Sequence, residues 1–257
     1  MQELLDRARL VRCADVVVRR RNQRTLSGVS LQLGAGVVAL AGANGSGKST
    51  LLQCLTGLLP VEAGSIAVGG HDVASAPGRR AARRVFGFLP QRADFPGSFT
   101  VEESVAYGGW LHRAPLDGDA VAAAIERVGL TADRRKKLSE LSGGMRQRAL
   151  LAQVTVHTPP IVLLDEPTVG LDAEHRHALR QFLADHAAAG SNNLVVFSTH
   201  LPDDIAAADR VIVLARGAVA FDGSPLGLAA TAGGELDGEV SIEVALRTLD
   251  AVDRCSA

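Results

Sequence analysis

The sequence predicts an α/β fold with a mainly parallel central sheet. Two observations carry the prediction. Short apolar runs of strand length interleave with segments whose apolar residues recur at helical spacing. A glycine-rich turn, Gly42–Gly47, joins a buried apolar run to a helical stretch. The 257 residues, 47% hydrophobic and 21% charged, suffice for a sizeable core, and one domain spanning 1–257 is expected.

The elements follow in chain order. Leu26–Leu33 alternates apolar and polar residues, as in a half-buried strand. Val37–Ala41 reads as a fully buried strand, and Lys48–Leu58 as the helix after the glycine turn. Ile66–Val68 and Val85–Leu89 are further strands. Val121, Ala124, Ile125 and Val128 lie on one face of a helix over Asp119–Val128, and Met145–Val156 is another helix. Ile161–Leu164 and Leu194–Phe197 are buried strands. Between them Ala173–Ala189 is helical and stops at Gly190, a C-cap candidate. Val211–Leu214 and Val219–Phe221 flank Arg216-Gly217, a hairpin turn. The stretch 92–159 is mostly helical in pattern and is expected to form a helical subdomain.

Composition excludes several classes. A net charge of −1 argues against a surface built for nucleic acid. No apolar run approaches the ~18 residues of a membrane span, and the N-terminus lacks a signal pattern. Cys13, Cys54 and Cys255 offer neither a disulfide framework nor paired metal ligands, so reduced thiols and a cytoplasmic setting are expected. Arg134–Lys137 and the group Arg79, Arg80, Arg83 and Arg84 read as solvated faces.

The strongest chemical signal is Gly42-Ala43-Asn44-Gly45-Ser46-Gly47-Lys48-Ser49-Thr50, which fits G-x-x-x-x-G-K-[ST] between a strand and a helix. Glycines let backbone N–H groups turn inward on phosphate oxygens, and the helix adds the positive end of its dipole. Lys48 supplies a cation for β- and γ-phosphates, and Ser49 a hydroxyl for Mg²⁺. Of the 27 basic side chains only Lys48, Lys136 and Lys137 are lysines, so an ammonium stands where a guanidinium would fit poorly. A second signal is Ile161–Pro167, an apolar strand ending in Asp165 and Glu166. The first acid can hold Mg²⁺ through water, and the second can polarise an attacking water. A third is Leu141-Ser142-Gly143-Gly144-Met145-Arg146-Gln147-Arg148, where a serine and two glycines open a helix. Ser142 is a good N-cap, but a cap alone does not call for two poor helix formers. Two phosphate-binding helix starts suggest a nucleotide held between two surfaces.

With these three segments in place the chain resembles the nucleotide-binding subunit of ABC transporters over about residues 8–250. LSGGMRQR matches that family's signature, Gln91 its Q-loop glutamine, Gly170-Leu171-Asp172 its D-loop and His200 its switch histidine. The resemblance implies a P-loop NTPase fold with a mainly parallel core sheet, a small antiparallel β subdomain, the inserted helical subdomain and a short C-terminal extension at 226–257. It implies ATP hydrolysis with Mg²⁺, in a head-to-tail dimer that sandwiches two nucleotides. Residues 42–50 of one subunit would bind the phosphates, while Ser142, Gly143 and Gly144 of the other cover the γ-phosphate. Glu166 would be the general base. Ser49, Asp165 and Gln91 would serve the magnesium, His200 would contact the γ-phosphate, and Asp172 would link the two sites. A homodimer docked on a membrane permease near Gln91–Trp110, peripheral on the inner face of the membrane, is implied; nucleic acid is not.

One departure stands out. No Phe, Tyr or Trp precedes Phe86, so no stacking ring for adenine comes from this early segment. Arg20 or a neighbour takes that place, either stacking through its guanidinium or simply exposed, and loose selection between ATP and GTP is one consequence. Phe99–Glu103, Tyr107 and the run Val219–Pro225 resemble ATPase subunits of bacterial exporters, so export is expected. The alternative is a soluble ABC-type ATPase of cofactor assembly or nucleic-acid maintenance. A single cassette with a short span from Lys48 to Ser142 speaks against the DNA-repair form.

Overall fold

The computed structural model describes residues 10–20, 23–93, 96–114, 117–232 and 238–255. The expectation about the N-terminus, the side chain of Cys255 and the neighbour Arg21 lie outside the described residues. In chain order the elements are β1 (Val11–Arg20), β2 (Gln23–Leu33), β3 (Gly36–Ala41), α1 (Lys48–Leu55), β4 (Ala63–Val68), β5 (His71–Asp72), α2 (Ala76–Ala82), β6 (Phe86–Leu89), α3 (Val101–Leu111) and α4 (Gly118–Arg127). They continue with α5 (Gly143–Thr155), β7 (Ile161–Leu164), α6 (Ala173–Ala188), β8 (Leu194–Ser198), α7 (Pro202–Ala206), β9 (Arg210–Ala215), β10 (Ala218–Gly223), α8 (Pro225–Ala230) and α9 (Gly238–Cys255).

These strands form two sheets. One has the order β10-β9-β3-β8-β7-β6, parallel from β9 to β6, with β10 antiparallel at its edge. The other is antiparallel, in the order β2-β1-β4-β5. The parallel sheet is buried on both faces, which explains its continuous apolar runs. Val37, Ala39 and Ala41 of β3 pack into one core with α4, α5 and α6. Val38 and Leu40 point the other way, into a second core with α1 and the antiparallel sheet.

Several details differ from the sequence expectation. The helix after the glycine turn ends at Leu55, because Gly57 adopts φ 69° and leaves Leu58 on the surface, 60% exposed. Gly190 does not take the left-handed conformation of a glycine C-cap, and α6 closes on Ala189 with φ −66°. A side chain at 190 would sit 2.9 Å from Asn193 Oδ1, so close approach rather than backbone freedom calls for glycine there. Strand β1 has no counterpart in the periodic reading. Asp15 at φ 50° breaks its alternation with a bulge, and the register against β2 shifts around it. The hairpin between β9 and β10 is as the dipeptide suggests, with φ 46° at Arg216 and 80° at Gly217. Cys13 and Cys54 are buried free thiols, each pushed up to about 12, chiefly by burial.

Candidate functional site

The site grows from the carboxyl ends of three adjacent parallel strands. β8 lies between β3 and β7, with Leu40 level with Ser198 and Leu164 level with Phe197. The glycine turn after β3, the acid pair after β7 and the loop after β8 therefore meet at one edge.

The glycine turn is shaped by its neighbours. Gly42, Gly45 and Gly47 have φ of 138°, 83° and 110°. A Cβ at Gly42 would lie 2.2 Å from Leu214 O, and one at Gly47 would lie 2.8 Å from Leu26 Cδ2, so both must be glycine. Gly217 in the β9–β10 turn donates to Ser46 O at 3.0 Å and holds the loop from behind. No side chain caps α1, whereas Ser75, Thr100, Asp117, Ser142, Asp172 and Ser224 cap α2 through α6 and α8. The leading N–H groups of α1 are thus left for an anion.

Lys48 is only 4% exposed, and its Nζ donates to Gly42 O at 2.7 Å and Ala43 O at 3.0 Å, in the mouth of the loop. Burial pushes its ammonium below the ordinary lysine value, and the carboxylates of Glu166 and Asp165 oppose that shift. Ser49 Oγ donates to Asp165 Oδ1 at 3.0 Å. Gln91 Nε2 donates to Glu166 Oε2 at 2.8 Å. A cleft of about 260 Å³ is lined by Thr25, Asn44, Gly45, Gly47, Lys48, Ser49, Thr50, Gln91 and Glu166. The sequence motifs at 42–50, 91 and 165–166 therefore converge on one place.

Ser198 also belongs here, and the sequence reading gave it no role. It is fully buried; its Oγ donates to Asp165 Oδ1 at 2.7 Å and accepts from Glu166 N at 2.7 Å. Glu166 sits at φ 50°, a costly conformation for a side-chain-bearing residue, and this bond holds it there. The available signal is a serine ending an apolar strand next to the strand that ends in the acid pair.

The remaining predicted residues are not among those lining the cleft. Ser142 is exposed and caps α5 by accepting from Met145 N at 3.3 Å. Gly143 has open space where a Cβ would go and no left-handed φ, so the fold itself does not call for glycine there. Asp172 caps α6; its Oδ1 accepts from His175 N at 2.9 Å and lies 2.7 Å from His175 Nδ1. The backbone N–H of His175, and then its ring, hold that carboxyl below the ordinary range. His200 is exposed in the loop after β8.

The arginines at 79, 80, 83 and 84 are not a featureless solvated face. With Arg113 they line a groove of about 690 Å³ floored by Phe86, Phe88 and Leu111. His112 closes α3 beside it, with Nδ1 2.9 Å from Arg83 O. Trp110 projects nearby, 70% exposed and stacked on Tyr107.

Comparison with known proteins identifies the family. The sequence pattern of the family described as ABC transporter matches residues 26–169. The hemin import ATP-binding protein HmuV of Nocardia farcinica is 40% identical over 226 residues, covering 84% of this chain and 77% of that protein. The zinc import ATP-binding protein ZnuC of Cereibacter sphaeroides is 36% identical over 217 residues, covering 84% and 83%. Among solved structures, a bacterial Atm1-family ABC exporter with ATP bound superposes with a TM-score of 0.79 at 27% identity, over 93% of this chain and 41% of that one. The glycine cradle, the acid pair after β7 and these relatives lead to one conclusion: the chain belongs to the ABC transporter family, as an ATP-binding subunit that hydrolyses ATP to power transport.

Proposed function

We propose that this subunit drives a membrane transporter through ATP-dependent closure of a head-to-tail pair, in which each nucleotide lies between the glycine cradle of one copy and the Ser142–Gly144 helix start of the other. The observation that carries the reading is the convergence of Lys48, the Ser49–Asp165 pair and the Gln91–Glu166 pair on one cleft. Residues 42–50 bind the phosphates, with Lys48 at the β- and γ-phosphates. Glu166, fixed by Ser198 and Gln91, acts as general base on water. His200 reaches the γ-phosphate, and Asp172 links the two sites.

The donor set fits a hard cation: a hydroxyl and a carboxylate oxygen lie 3.0 Å apart at Ser49 and Asp165, beside the amide of Gln91. When bound there, Mg²⁺ supplies charge neutralisation at the phosphate oxygens. Gly143 supports the sandwich. A glycine in a helix costs about 1 kcal/mol relative to alanine, and this one meets no neighbour that requires it, which leaves room for a phosphate against its backbone.

Residues 92–159 act as the helical subdomain that carries the signature, and 226–257 as a short extension. Among the described residues no helix is long and apolar enough to cross a membrane. The subunit is read as peripheral on the cytoplasmic face, docked on a permease. The arginine groove with its apolar floor, flanked by Trp110, suits an acidic amphipathic segment of that partner. The hemin and zinc relatives are both named for import, so import replaces export as the preferred direction; they lend nothing to the assembly or nucleic-acid alternatives.

Ser142→Arg tests the sandwich. ATP binding to the isolated subunit should persist while turnover falls to background. Loss of binding by the monomer would contradict it.

A further inference from the structure

Asp204 is fully buried in α7, and its two oxygens tie three other segments together. Oδ2 accepts from Thr168 Oγ1 at 2.7 Å and from Thr199 Oγ1 at 3.1 Å. Oδ1 accepts from Arg180 Nη1 of α6 at 3.1 Å. Thr168 begins the turn to Asp172, and its carbonyl accepts from Leu171 N at 3.2 Å. Thr199 directly precedes His200; its Oγ1 accepts from Leu201 N at 3.1 Å, and its own N–H donates to Leu40 O at 3.1 Å. Thr168 and Thr199 are themselves 3% and 1% exposed. One carboxylate thus joins the segment leading to Asp172, the segment carrying His200, and the helix that Asp172 caps.

We infer that Asp204 is a positioning residue for ATP hydrolysis: through Thr168 and Thr199 it holds the loops of Asp172 and His200 in fixed register, so that they move as one unit. The inference rests on the roles proposed above for those two residues. An ion pair with a fully buried carboxylate is a poor way to gain stability, since desolvation cancels most of the attraction and apolar replacements often do as well. Its distinctive property is directional. Two hydroxyls sharing one oxygen cannot shift independently without leaving a buried donor unpaired.

The test uses the threonines of the full chain, because removing Asp204 itself would strand Arg180 and endanger folding. Thr168→Val and Thr199→Val keep the shape and delete the donors to Asp204; at 199 the acceptor of Leu201 N is lost as well. Each should lower kcat about ten-fold or more while KM for ATP stays within about two-fold, because the phosphate cradle is untouched. The double variant should be no worse than the poorer single, since both act through one carboxylate. Serine at either position should recover kcat. Native kcat in the valine variants, losses appearing in KM, multiplicative losses in the double variant, or serine failing to rescue would each overturn the inference. Asp172→Ala and His200→Ala run alongside. If they hydrolyse ATP normally, the site reading fails and takes this inference with it; if they lose turnover while the valine variants keep it, the positioning role alone fails.

Discussion

Replacing Ser198 by alanine removes one hydroxyl that serves both members of the acid pair. Its Oγ donates to Asp165 Oδ1 and accepts from Glu166 N, each at 2.7 Å, at a fully buried position. A hydrogen bond to a charged group contributes about 1.5–3 kcal/mol, and a buried N–H left without an acceptor costs about 1–3 kcal/mol. Asp165 keeps the donor from Ser49, which softens the first loss. The net destabilisation should be about 3 kcal/mol by urea unfolding. The catalytic effect should exceed the folding effect in specificity. Glu166 holds φ 50° against that bond, so its loss lets the carboxylate drift, and a misplacement of about 1 Å costs roughly 100-fold. Steady-state ATPase assays of Ser198→Ala should show kcat down about 10- to 100-fold with KM for ATP within about three-fold. A variant with native kcat and stability within about 0.5 kcal/mol of the parent would refute the bridge.

Two further outcomes follow from the structure. Among the described residues none lining the nucleotide cleft is aromatic, and Arg20 is exposed, so base selection should be weak: KM values for ATP and GTP should agree within about three-fold, and a preference for ATP above about ten-fold would contradict this. His157 stacks on His112 with ring centroids 3.8 Å apart, and burial followed by that neighbour pushes its imidazole down to about 4. Such a group takes up its proton more readily in the unfolded chain, so stability is intact above about pH 6.5 and declines from there toward pH 4. Discounted for partial exposure, the loss is about 2 kcal/mol; His157→Phe should flatten the melting-temperature profile over that window, and an unchanged profile would exclude His157 as its source.

The parts of the site legible in the sequence are the contiguous ones. The glycine turn and the acids after β7 each carry their chemistry within a few residues, and backbone rules fix what such spacing can do. What escaped is made of residues distant in the chain. Ser198 bridges two carboxylate-bearing residues just beyond the neighbouring strand, a relation set by strand order. The arginines after Ser75 look like an exposed run until Arg113 closes the groove over Phe86 and Phe88. Strand β1 was hidden because the bulge at Asp15 interrupts the two-residue period from which strands are read.

The central claim is that Glu166 activates the water that cleaves ATP, and it is tested most directly by measuring turnover and ATP binding together in Glu166→Gln. The glutamine keeps a partner for Gln91 but has no carboxylate to take a proton. ATP affinity should persist while hydrolysis all but disappears. Turnover near that of the parent subunit would contradict the account.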